Sequence, residues 1–324
     1  MYDAFSWVIA GPFMYMAVLV FVVVTLNKVL VIARLPRHLR WDLYPIAHDG
    51  PSGSPYQKAE FWSSSRPYSF MHELAEMAQE IMLLKRTFLY NRRVWVFSFP
   101  MHFGFYLITG WLALLLLGVG AEIASGITIS FASTLFWAKV INAITVVVGA
   151  AGLVFGLCGT AGLLWLRLTD EDLKDFTSPI TFMNLFLLLA LFAIGFAAFV
   201  FADPSFVLAR RYINSLLSFS PLSGLPLIML IEIMLFGAFL IYLPFSRMLH
   251  FAAKYFFYHN IMWDDEPVKA GSGLEQAIGG YLHYRLDWAA GHIASGGSWL
   301  DQATANPTQP KQEVRVADET KSPA

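Results

Sequence analysis

Four ionisable side chains within long apolar stretches of this sequence are the candidates for chemistry: His102, Lys139, Glu232 and His250. Placing such groups in lipid is costly, and where they occur they tend to mark function. His102 sits in Ser98-Phe-Pro-Met-His-Phe-Gly104, and His250 in Leu243-Pro-Phe-Ser-Arg-Met-Leu-His250. Their positions near corresponding ends of two different helices predict imidazoles at a common depth. Two such rings can clamp a b-type haem, one nitrogen on each axial side of the iron. Gly104 would then admit the macrocycle or a neighbouring backbone. Arg92, Arg93 and Arg247 are candidates to neutralise the propionates, although basic residues gather at that side of a membrane for other reasons. The competing reading is that each histidine only bonds a serine or a carbonyl across helices.

Lys139 opens the third apolar stretch and Glu232 lies early in the fifth, both toward the opposite face. Paired, they would lower the cost of each other's charge and offer a quinone headgroup a donor and a proton route. The alternative is a structural ion pair, or a snorkelling lysine beside an unrelated glutamate. His38, His48, His72, His259, His283 and His292 fall in polar segments and read as surface or packing residues. The single cysteine, Cys158, excludes zinc ribbons, cysteine-held iron–sulfur clusters, c-type haem attachment and internal disulfides. No HExxH, P-loop, GxGxxG or GxSxG motif is present. The run GAAGLVFGLCGTAG over 149–162 reads as close helix packing.

The elements that must position these groups follow from composition. The 324 residues are 57% hydrophobic and 14% charged, with a net charge of −1 and a mean hydropathy of +0.55. That balance points to a membrane protein and away from a soluble enzyme, a disordered chain or a nucleic-acid binder. A bilayer core of about 30 Å needs about 20 apolar residues in a helix. Five stretches qualify: 11–33, interrupted only by Asn27 and Lys28 near its end, 94–120, 136–166, 181–202 and 225–251. The fold class is therefore all-α, a bundle of five transmembrane helices. The start of the chain lacks the basic region and cleavage site of a signal peptide, so the first helix is expected to be retained.

The segment between the first two helices is rich in Lys and Arg, whereas the loop near Glu122 has no basic residue before Lys139. The bias places the N-terminus outside and the C-terminus in the cytoplasm, with Arg210 and Arg211 outvoted. The expected parts are the first helix (1–33), a cytoplasmic loop (34–93), a four-helix haem-binding core (94–257) and a cytoplasmic arm (258–324). In the loop, Phe70, Leu74, Met77, Ile81, Leu84 and Phe88 share one face of a helix that lies at the membrane surface, covers a partner, or packs on the protein itself. The arm, with Trp263, Tyr281, Tyr284, Trp288 and Trp299, reads as an extended segment that orders against another subunit.

The order of five helices, Met101-His-Phe-Gly104 in the second and Pro244-Phe-Ser-Arg-Met-Leu-His250 in the fifth, resembles the cytochrome b (gamma) subunit family of respiratory nitrate reductase. The resemblance covers residues 11–33 and 94–255. The first loop, with Trp41-Asp-Leu-Tyr-Pro45 and His48, and the tail are more similar to the branch found in transmembrane redox complexes of sulfate-reducing bacteria, the Tmc type above all, with the Hmc and Dsr types close alternatives. The resemblance implies His102 and His250 as axial ligands of one b haem, exchange of electrons with quinol or menaquinone, a cytoplasmic iron–sulfur partner resembling heterodisulfide reductase, and a periplasmic multihaem cytochrome c. It also implies a bacterial inner-membrane location. Family positions for the ligands of a second haem fall on Leu112 and Glu232, which are poor or impossible iron ligands, so one haem is expected. Lys139 falls on the lysine of the family's outer quinol site.

The leading reading is thus an electron-transfer subunit rather than a complete enzyme. A haem-free scaffold that anchors soluble redox subunits is the alternative, and a small transporter is a distant third, because no internal repeat is visible.

Overall fold

A computed structural model describes residues 2–34, 70–258, 270–290, 293 and 295–305. Five of its helices are long and apolar enough to cross a membrane. They are α1 (Tyr2–Ala33), α4 (Arg92–Ser125), α5 (Phe136–Thr169), α7 (Pro179–Phe201) and the fifth, Leu227–Phe245, whose α-helical part is α9 (Leu227–Tyr242). Shorter helices connect or flank them: α2 (Phe70–Met82), α3 (Lys85–Tyr90), α6 (Glu171–Lys174), α8 (Val207–Leu217) and α10 (His250–Phe257). Among the described residues there are no β-strands. Residues 2–28 and 70–251 form one compact unit; the described residues of 29–34 and from 252 onward belong to a second.

The all-α membrane class is borne out, with spans longer than the apolar runs alone suggest. The first starts at Tyr2, nine residues before the expected 11, and contains a π-helical turn, Ile9–Phe13, with Pro12 inside it. Proline has no N–H to donate and its ring crowds the preceding turn, which favours a widened turn at such a point. Three tyrosines fix this end of α1: Tyr212 donates to the Ala10 carbonyl at 3.0 Å, Tyr15 to the Leu216 carbonyl at 2.8 Å, and Tyr2 to the Leu225 carbonyl. Further along, Leu19, Val23, Leu26 and Leu30 are exposed, as a lipid-facing surface requires.

Helices α4 and α5 each have 34 residues. At 1.5 Å per residue each is about 51 Å long, enough to cross the hydrocarbon core and both headgroup layers. Gly149, Gly152, Gly156 and Gly159 line the buried face of α5. A Cβ at Gly104 would collide with the Gly156 backbone, and one at Gly159 with the backbone of Met101. The glycine-rich run is a close-packing seam, and Gly104 serves backbone approach rather than a macrocycle.

The helix expected across 70–88 is interrupted. It ends at Met82; Leu84 adopts φ +52°, and α3 begins at Lys85. Phe70 and Leu74 are exposed, while Glu73 and Glu80 are buried. Glu80 accepts from the Arg86 guanidinium at 3.1 Å and from its backbone N–H at 3.2 Å.

In the second unit the tail is more ordered locally than an extended arm. α11 (Gly273–Leu282) is capped by Ser272, and α12 (Trp299–Thr304) starts with a capping box in which Ser298 and Asp301 satisfy each other's backbone N–H groups. Trp288 meets Trp299 edge-on at 6.3 Å. His38, His48, His259, His292 and Trp263 lie outside the described residues.

Candidate functional site

The fifth span is broken at the Pro244-Phe-Ser-Arg run. α9 ends at Tyr242, a 3-10 turn covers Leu243–Phe245, Ser246 is extended (φ −99°, ψ 169°), and a second 3-10 turn, Arg247–Leu249, leads into α10. The expected continuous helix over 225–251 is therefore two pieces, and His250 opens the second rather than lying inside the span. Proline accounts for the stop, since its missing N–H cannot continue the ladder. Ser246 restarts the chain: its hydroxyl accepts from Met248 N at 3.1 Å and donates to the Leu243 carbonyl at 2.9 Å.

The break carries His250 to His102. Their ring centroids are 6.3 Å apart, with the planes inclined at 67°. His102 is half-buried on α4, three turns from its start, and His250 is exposed. Each ring is oriented by the backbone one turn before it. His102 Nδ1 lies 2.7 Å from the Ser98 carbonyl oxygen, and His250 Nδ1 lies 3.1 Å from that of Arg247. A carbonyl only accepts, so both Nδ1 atoms carry the proton and both lone pairs reside on Nε2. This is the arrangement in which a histidine ligates through Nε2 while its other nitrogen is held by a second partner.

These residues fit a haem. A metal–imidazole bond is about 2 Å long, which puts the centroids of two rings facing each other across one ion roughly 6 Å apart. Among the described residues, no group of three or more His, Cys, Asp or Glu is placed to hold a metal. A bare zinc ion would need three or four protein ligands. A haem brings four nitrogens of its own, so two imidazoles would complete its ligands.

The arginines differ in placement. Arg92 lies over the Phe88 ring at 4.6 Å, and Arg93 pairs with Asp170 at 3.0 Å, both at the exposed start of α4. Arg247 is exposed and adjoins His250 in the same turn.

Lys139 and Glu232 are not brought together. Lys139 is exposed in the first turn of α5, and among the described residues no ion pair joins it to Glu232. Glu232 points inward instead. Its Oε1 lies against Gly195 on α7, beside Leu153 of α5, and its Oε2 is buried with no hydrogen-bond partner. The indole Nε1 of Trp111 is likewise buried without a partner, beside Gly149 on the same face of α5.

Two features escaped the sequence reading. Arg210, counted only as a basic loop residue, is fully buried. It donates to the Ile129 carbonyl at 2.5 Å and to Asn142 Oδ1 at 3.4 Å, and lies 3.9 Å from Glu122. Burial pulls its pKa below the ordinary arginine value, against the upward influence of Glu122 and Asp203. The double-arginine pair gave no sign of which member turns inward. The second is Lys28, which the sequence shows only as an interruption of the first span; its Nζ donates to the Pro244 carbonyl at 2.6 Å.

No protein-family model matches this chain, and no curated protein matches it.

Proposed function

We propose that this chain is a haem b-binding integral membrane subunit of a redox complex, with His102 and His250 as the axial ligands. The observation that carries the reading is the paired imidazoles at 6.3 Å, each with Nδ1 held by a backbone carbonyl. When bound, the haem supplies one-electron transfer. The protein holds the rings and presents both Nε2 lone pairs, and Met101, Leu243 and Met248, near the ligands in the chain, belong to one apolar cluster. Arg247 is the propionate contact best placed, since it shares a turn with a ligand.

The resemblance extends the proposal to the rest of the path. Electrons would pass between membrane quinone, menaquinone included, or a periplasmic multihaem cytochrome c, and a cytoplasmic iron–sulfur subunit. The positive-inside bias supports an orientation with the histidine end of the bundle toward the cytoplasm. One haem near one face does not by itself bridge the bilayer. Glu232, buried toward the other end, is proposed as the proton-handling group of a quinone site there.

The test is a reduced-minus-oxidised spectrum of the purified chain with haem counted per polypeptide. One b haem, lost in both His102→Ala and His250→Ala, is the expected result. Absence of haem from the wild-type chain would move the protein to the scaffold reading. Two haems would mean a further ligand pair.

A further inference from the structure

The break before His250 is a problem of unsatisfied backbone. In an unbroken helix the Pro244 carbonyl would accept from the N–H of Met248. Here that N–H is taken by the Ser246 hydroxyl. In lipid an orphaned carbonyl is costly, because no water can replace the lost donor. The replacement comes from the first span: Lys28 Nζ donates to Pro244 O at 2.6 Å, and its ammonium lies 5.3 Å from the centroid of the Phe245 ring. Ser246 N donates to Leu243 O at 3.1 Å and Leu249 N to Ser246 O at 3.3 Å, both local bonds within the break. Lys28 is therefore the long-range bond at the break, 216 residues away in the chain. Five residues separate the carbonyl it holds from the ring that the break delivers to His102.

We propose that Lys28 is a positioning residue for His250: by capping Pro244 it fixes the direction in which the chain leaves α9, and so the distance between the two imidazoles. The functional meaning of that distance rests on the haem reading above; the positioning itself does not.

The experiment separates the two. Spin labels are placed at the exposed positions Val96 on α4 and Phe251 on α10, in a full-length chain whose single cysteine is replaced (Cys158→Ser), and the label–label distance is measured in membranes by pulsed electron resonance. The expected result is a narrow distribution in this background, a broader one shifted to longer distance in Lys28→Met, and recovery in Lys28→Arg, which restores a cationic donor. Where Lys28→Met does not accumulate in the membrane, Lys28→Gln, too short to span the gap, is read in the same way. An unchanged distribution in the lysine variant overturns the proposal. Haem content of the same samples reads the ligation independently. A haem-free chain with a Lys28-dependent distance would remove the haem reading and support the positioning role. A haem-loaded chain whose low-spin resonance signal shifts in Lys28→Met and returns in Lys28→Arg supports both.

Discussion

Arg210 and Glu122 hold the backbone of one residue, Ile129, from its two ends. The Glu122 carboxylate accepts from the Ile129 N–H at 2.8 Å, and Arg210 donates to the Ile129 carbonyl at 2.5 Å; the two charges lie 3.9 Å apart. The loop between α4 and α5 is thereby tied to α8 at the end of the bundle remote from the histidines. Breaking one side of a buried pair leaves an uncompensated charge and costs about 3–5 kcal/mol. Arg210→Met, which keeps most of the volume, is expected to lower stability by about 3 kcal/mol on that basis. Solvent denaturation of the detergent-solubilised protein measures it, and a change within error would show the arginine to be replaceable.

Asp203 gives this end of the bundle a pH dependence. Burial pushes its carboxyl above the ordinary value, although bonds from the backbone of Ala209, Leu208 and Val207 and the nearby Arg210 pull the other way. A carboxyl whose folded pKa is raised contributes its full stability when protonated, below the unfolded value, and loses it as the pH rises through the folded value. The melting temperature of the wild type relative to Asp203→Asn is expected to improve as the pH is lowered from about 7 to about 4. A difference that shrinks on acidification would reverse the assignment.

Gly104 separates packing from chemistry. Its place on α4 faces the Gly156 backbone, so Gly104→Val must force the helices apart, at a cost of about 1–3 kcal/mol. The same change at Gly110, where a Cβ meets only Val148 at 3.9 Å, is expected to be far milder. Comparing the two unfolding midpoints reads the seam directly; equal effects would show that it does not govern the approach of α4 to α5.

Glu232 and Lys139 are expected to act independently. Residues without contact or shared partners have effects that add to within about 0.5 kcal/mol. In a cycle of Glu232→Gln, Lys139→Ala and the double variant, read by quinone-linked reduction of the haem, the coupling should stay inside that bound. Glu232→Gln is expected to slow the reaction by at least about a hundredfold, the lower range for removal of a positioned proton-transfer group, with haem content unchanged. Strong coupling would restore the ion pair expected from sequence; no effect of either change would remove the quinone role.

Much of this architecture is legible in the residues. Five apolar runs of about 20 residues leave few alternatives in a bilayer, and the glycine run over 149–162 indicates a seam because small residues let backbones approach. The meeting of His102 with His250 follows from their matched positions at corresponding ends of antiparallel spans. What escaped is tertiary. Pro244 shows that a helix ends, but not that a lysine in another span caps the end. The periodicity of 70–82 indicates two faces, but not that Glu73 and Glu80 turn inward while Phe70 and Leu74 turn out. A lysine and a glutamate at similar depth suggest a pair, but helix rotation decides it, and Glu232 faces Gly195 of α7 and Leu153 of α5.

The two imidazoles have mounts of different stiffness. His102 stands on a helix locked along its length to its neighbour through glycine contacts. His250 stands just past a hinge, and the chain leaves the first unit at Phe251, one residue later. A single residue, Phe251, thus separates the second imidazole from the boundary of its unit, whereas the first is set within a packed helix.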